Sequence, residues 1–147
     1  MMRQGVTGQE KWARASLRVF SDTLQASDIT TLLGMEPSRS YFKGQPVSSR
    51  NPKTLRRKSA WIFKSGLEQD PDLAAHLRRL LDFIEPRLDR LDTLRETCRV
   101  DLFCGFASES GQGGTTLDSA LLARLGRLRL DLTMDLYPPA SIEPDDE

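Results

Sequence analysis

The sequence predicts an α+β domain: a mainly antiparallel sheet of about five strands with helices packed on one face, in a ferredoxin-like arrangement. Three observations carry this expectation. Residues 127–137 read RLRLDLTMDLY, with Leu128, Leu130, Leu132, Met134 and Leu136 on alternate positions. That is the period of a half-buried strand, whose side chains point to opposite faces in turn; a helix would scatter the same residues around its circumference. Two more stretches alternate in the same way, WARASLRVF at 12–20 and RVDLFCGFA at 99–107. Between them Leu73, Leu77, Leu80, Leu81 and Ile84, then Leu88, Leu91 and Leu94, keep helical spacing. The 147 residues suffice for about one domain with a real core.

In chain order, residues 1–10 are polar and are expected to be disordered, so the domain spans 11–137. After the first strand, Ser27-Asp28 offers side-chain oxygens to cap a short helix. Ile29, Leu32 and Leu33 form its apolar face, Gly34 suits the left-handed residue that ends it, and Pro37 forbids its continuation. A short strand follows at 39–42. Residues 45–58 hold two prolines, serines and a cluster of bases, and read as loop. Strand pattern returns in SAWIFK at 59–64. Asp70 is then expected to cap the long helix, with Pro71 at its first position. Pro86 must end or kink that helix near Ile84, and a second segment runs to about Thr97. A last helix is expected from Asp118 or Ser119 to Leu125, ended by Gly126. Residues 138–147, PPASIEPDDE, read as an acidic disordered tail. The stretch 27–34, SDITTLLG, resembles 119–126, SALLARLG: the serine, an aliphatic third residue, leucine and glycine align without a gap. Each lies between strands, which suggests two strand–helix–strand units as a structural pseudo-repeat.

Composition excludes several classes of function. Twenty-one basic residues balance 21 acidic ones, so no global excess of charge points to nucleic acid or a membrane surface. No apolar run approaches the roughly 20 residues that span a bilayer, and the first residues lack the apolar centre of a signal peptide. The cytoplasm is the expected setting. Cys98 and Cys104 would lie about 20 Å apart along a strand, too far for a disulfide. They read as reduced, largely buried thiols. With the lone His76 they make too few ligands for a structural zinc.

No stretch carries a catalytic signature. The glycine-rich 108–114 lacks the Gly-Lys-Ser/Thr ending of a phosphate loop and the dinucleotide pattern. His76, beside Arg78 and Arg79, reads as a surface or rim residue. Asp82, Glu85, Asp89 and Asp92 face arginines at helical spacing and read as a solvated ion-pair surface. If the three long strands pair, Trp12, Arg14, Arg18, Phe20, Phe103, Arg129 and Tyr137 share one polar sheet face. Arginines among aromatics can stack bases, but Asp101, Asp131 and Asp135 on that face would repel phosphate. Cross-strand Arg–Asp pairs explain the same residues.

The strongest local anomaly is charge. Residues 37–67 hold Arg39, Lys43, Arg50, Lys53, Arg56, Arg57, Lys58 and Lys64 and no acidic residue. Arg50, Lys53, Arg56, Arg57 and Lys58, in one loop, are the candidate partner-binding residues, because clustered charge steers encounter.

Together these features resemble a known bacterial family. They are the short helix ending Leu-Leu-Gly-Met-Glu-Pro-Ser, the turn Tyr41-Phe42-Lys43-Gly44, the strand around Trp61, and the helix bearing His76-Leu77 and Leu80 to Pro86. The chain resembles domain of unknown function 4279 over roughly residues 13–137. The resemblance implies a small bacterial α+β domain and carries over no catalytic residue. The expected function is therefore non-enzymatic binding of a protein of acidic character, in an adaptor or immunity-like role. No cofactor or metal is expected. The alternative is nucleic-acid binding through the basic loop 50–58.

Overall fold

A computed structural model of the chain describes residues 11–68, 70–108 and 114–137. The expected disorder of 1–10 and of the tail 138–147, and most of the glycine-rich stretch, lie outside the described residues. The strands are β1 (Lys11–Ser21), β2 (Arg39–Tyr41), β3 (Pro46–Ser48), β4 (Asn51–Leu55), β5 (Ser59–Lys64), β6 (Arg99–Ser108) and β7 (Asp131–Leu136). The helices are α1 (Ala26–Leu33), α2 (Leu73–Ile84), α3 (Leu88–Arg95) and α4 (Ser119–Leu128). The main sheet has five strands in the order β2-β5-β1-β6-β7. Every neighbour pairs antiparallel except β6 and β7, which run parallel. With β7 set aside, the order β2-β5-β1-β6 is the ferredoxin-like one, α1 joining β1 to β2 and α2–α3 joining β5 to β6.

The helices cover one face. Ala13, Ala15, Leu17 and Val19 of β1, Trp61 of β5 and Leu102 and Cys104 of β6 meet the apolar stripes of α1, α2 and α3 in one core. Pro86 acts as expected: α2 stops at Ile84, a 3-10 turn spans Glu85–Arg87, and α3 resumes with Leu91 and Leu94 buried.

Several expected boundaries are corrected. Asp72, not Asp70, caps α2 by accepting from the Ala74 N–H at 3.0 Å, while Asp70 accepts from the Asp72 N–H at 2.8 Å. Asp28 lies inside α1, at its third position, and accepts from the Gln25 N–H at 2.9 Å. The strand expected from Arg127 starts at Asp131, because α4 continues through Gly126 to Leu128. Leu121 and Leu128 are its buried residues, and Arg129 turns the chain at φ 55°. Arg95 secures that end by donating to the carbonyls of Leu128 at 3.1 Å and Arg129 at 2.6 Å. The pseudo-repeat holds as two helix crossovers between parallel strands, with a difference. Gly34 ends α1 at φ 73° whereas Gly126 sits inside α4, and β5 separates β1 from β2 while β6 and β7 are neighbours. The loop expected at 45–58 contains the β3–β4 hairpin, a second, two-stranded sheet. Of the carboxylates expected to pair along the helix, Asp92 of α3 does so, with Arg95 at 3.3 Å, whereas Asp82 of α2 and Glu85 of the 3-10 turn accept across from Arg124 of α4, at 3.0 and 2.8 Å. That hydrogen bond from Arg124 holds the Glu85 carboxyl below its ordinary value.

Both cysteines are free and buried. Burial, helped by the Asp101 charge, pushes the Cys104 thiol up to about 12. At about pH 8 a thiol reagent should therefore leave Cys104 unmodified in the folded protein and find two thiols once the chain is denatured. The raised value also makes the stability contribution of Cys104 full below about pH 9 and lost as pH climbs towards about 12. Rapid labelling of native Cys104, read by mass spectrometry, would contradict this packing.

Candidate functional site

The five cations singled out by sequence lie in and beside the β3–β4 hairpin, and the hairpin sorts them into two groups. Its strands pair with each other and with neither edge of the main sheet, and every residue in them is exposed. Its base is closed by Gly44 N–H donating to the Arg56 carbonyl at 2.9 Å and Arg56 N–H to the Gln45 carbonyl at 2.7 Å. Arg50, in the turn, Lys53, in β4, and Arg57 are exposed and make no ion pair among the described residues. Arg56 is half-buried: its guanidinium lies 3.9 Å from the centre of the Tyr41 ring and donates to the Val47 carbonyl at 3.3 Å. Lys58 bridges Asp22 at 3.0 Å, and that hydrogen bond holds the Asp22 carboxyl below its ordinary value. Arg56 and Lys58 thus anchor the hairpin, and Arg50, Lys53 and Arg57 present its charge. Phe42, Val47 and Leu55 are exposed apolar side chains on or next to the same element.

The second feature is the sheet face away from the helices. It carries Trp12, Arg14, Arg18, Phe20, Phe103 and Tyr137, as expected, but not Arg129, which sits in the turn before β7. It also gains Arg39, Tyr41, Ile62 and Lys64 from β2 and β5. Arg18 and Asp101 are direct partners across β1 and β6, joined by two hydrogen bonds of 2.8 and 2.7 Å. The Asp101 side chain is 1% exposed and that of Arg18 15%. Phe103 lies 4.3 Å and Phe20 5.1 Å from the Arg18 guanidinium, and Thr133 also donates to Asp101 at 3.3 Å. The carboxylate expected to repel anions is therefore neutralised beneath its arginine. Gly105 serves the same face: a Cβ there would sit 3.1 Å from the Trp12 ring and 3.2 Å from Arg14, so its absence lets Arg14 lie across the strand.

His76 is corrected outright. It is completely buried, not on the rim. Its Nε2 lies 2.7 Å from the Asp70 carbonyl, which can only accept, so that nitrogen carries the proton. Nδ1 then accepts from the Ser65 hydroxyl at 2.6 Å. This is the order nucleophile, base, orienting group. The cavity beside it is about 20 Å³, room for about one water. The pair pins the end of β5 to the start of α2. The spacing of His76 from Leu73 and Leu80 was the signal for burial; its arginine neighbours masked it.

Among the described residues no group of three or more His, Cys, Asp or Glu side chains is placed to hold a metal, and no helix is long and apolar enough to cross a membrane. A family model described as a domain of unknown function, number 4279, matches residues 10–139. No curated protein and no solved structure is similar enough to count as a match.

Proposed function

The chain belongs to the domain of unknown function 4279 family, and for it we propose non-enzymatic binding of an acidic protein through the basic hairpin. One observation supports this reading above the rest: Arg50 and Lys53 stand on, and Arg57 just beyond the base of, an exposed, internally hydrogen-bonded hairpin within a stretch, 37–67, that has no acidic residue. A hairpin fixes the spacing of its charges, which a loose loop does not, and so loses less freedom when it docks. Phe42, Val47 and Leu55 supply apolar contact beside the charges, as the centre of a protein interface needs. The role is adaptor or immunity-like, by analogy of size and class alone, in a bacterial cytoplasm.

The experiment is affinity capture with mass spectrometry, comparing the wild type with the triple variant Arg50→Glu, Lys53→Glu, Arg57→Glu. An acidic protein should be retained by the wild type and lost by the variant. In parallel, fluorescence anisotropy with random single-stranded and duplex oligonucleotides should show weak binding. Tight binding that falls steeply with salt would instead favour nucleic acid, the alternative partner for residues 50–58.

A further inference from the structure

We propose that the free edge of β7 pairs with the same edge of a second copy of this chain, in an antiparallel register centred on Met134. β7 ends the main sheet, and its residues, Asp131–Leu136, include no proline. The opposite edge strand, β2, is only three residues long. Tyr137 N–H donates to the Phe106 carbonyl at 3.1 Å, so the main-chain groups of Thr133, Asp135 and Tyr137 face β6. Those of Leu132, Met134 and Leu136 alternate with them and face outward, where no strand among the described residues pairs with them. Such a row of unpaired N–H and C=O groups is a template for another strand. The side chains of the same three residues are apolar. They stand beside Leu102, Cys104 and Phe106 of β6, on the face that the helices cover. Yet Met134 is 40% and Leu136 71% exposed, so the apolar side of β7 runs out past the helix layer.

Backbone geometry and charge select the same register. An antiparallel partner engages this edge when outward residues oppose outward residues. A two-fold axis at Met134 does this for all three: Leu132 opposes the second copy's Leu136, Met134 opposes its counterpart, and Leu136 opposes the second copy's Leu132. That makes about six main-chain hydrogen bonds, two for each such pair, and it joins the exposed apolar side chains of the two copies. Moving the axis by one residue loses part of this pairing and sets like charges face to face. At Thr133 it brings Asp131 opposite the second copy's Asp135; at Asp135 it brings that carboxylate opposite its counterpart. Like charges directly opposite one another destabilise a strand pair. With the axis at Met134, Thr133 opposes the second copy's Asp135 and Tyr137 its Asp131, so each carboxylate meets a hydroxyl-bearing residue. The carboxylates of the two copies are then diagonal neighbours, about 7–8 Å apart. The strand is thus complementary to itself, which identifies the occupant as a second copy of the chain.

The test is sedimentation velocity of the full chain over a micromolar-to-millimolar range of concentration. The mass should rise from one chain to two and stop there, because pairing consumes the edge. Met134→Lys places two like charges at the axis and should weaken association by about a hundredfold or more, with the circular dichroism of the fold unchanged. If Met134→Lys does not fold, Leu136→Lys, at the more exposed position, carries the test. The register is read by cross-linking. Under mild oxidation Met134→Cys should join two chains, since directly opposite Cα atoms about 5.5 Å apart lie within disulfide range. Asp131→Cys should not, and the native cysteines are buried. A chain that stays monomeric throughout, a dimer that the folded lysine variant leaves intact, growth beyond two chains, or cross-linking through Asp131→Cys in place of Met134→Cys would each overturn the assignment.

Discussion

Arg18→Met will lower the unfolding free energy by about 3–5 kcal/mol, because it strands a carboxylate that has left water. Asp101 is almost completely inaccessible, and its oxygens accept from Arg18 at 2.8 and 2.7 Å, with Thr133 a weaker third donor. Removing the guanidinium leaves only that hydroxyl and the distant Arg99, at 3.8 Å, to offset the buried charge. The double variant Arg18→Met, Asp101→Leu should recover most of the loss, since a buried ion pair replaced by apolar side chains of similar size is often neutral or stabilising. Urea unfolding of the two single variants and the double variant reads this directly. A single variant within about 1 kcal/mol of the wild type, the range of exposed pairs, would mean that the pair is solvated.

Trp61→Ala will cost about 3–5 kcal/mol, the usual loss for an aromatic side chain removed from a packed core. Trp61 is completely buried and sits directly opposite Val19 in β1. It stacks on Phe63 with ring centres 6.1 Å apart, and Phe63 in turn meets Phe83 of α2 edge-on at 5.1 Å. The indole N–H donates to Thr30 of α1 at 3.0 Å, which ties the helix to the sheet. Thr30→Val keeps the shape and removes the acceptor, so it should cost about 1–3 kcal/mol for the orphaned N–H. Chemical denaturation followed by tryptophan fluorescence of the Thr30 variant, and by circular dichroism of both, separates the packing loss from the hydrogen-bond loss. A Trp61→Ala variant as stable as the wild type would contradict its place at the centre of the core.

The parts of this fold legible in the sequence are those where one periodicity acts alone. β1 and β6 alternate without competition, β5 is a short continuous apolar run buried on both faces, and Pro86 breaks its helix where its missing N–H and its ring require. Leu128 was ambiguous because it continues both the period of two shared with Leu130 and Leu132 and the helical spacing from Leu121. The helix wins, since it buries Leu128 completely against the core. The hairpin was illegible for a different reason. NPKTL has no alternating apolar face and contains a proline, and its strands bury nothing, so backbone pairing is its main organisation and leaves little trace in side-chain pattern. Of the candidate site, the cluster of charge was visible, but the division between anchoring Arg56 and Lys58 and projecting Arg50, Lys53 and Arg57 was not. It depends on Tyr41 and Asp22, which are distant in sequence. The open face was half visible for the same reason: Arg39, Tyr41, Ile62 and Lys64 join it only through the strand order.

On the proposed reading, Arg50, Lys53 and Arg57 bind an acidic partner independently of the core. Calorimetric titration of the captured acidic protein into the wild type and into the Arg50→Glu, Lys53→Glu, Arg57→Glu variant separates the two roles, with the melting temperature of each chain recorded alongside. Reversal at three exposed positions should weaken binding by about a hundredfold or more, with melting changed by no more than a few degrees, the usual effect of exposed substitutions. Equal affinity for the two chains would contradict the claim, and so would a variant that has lost its fold.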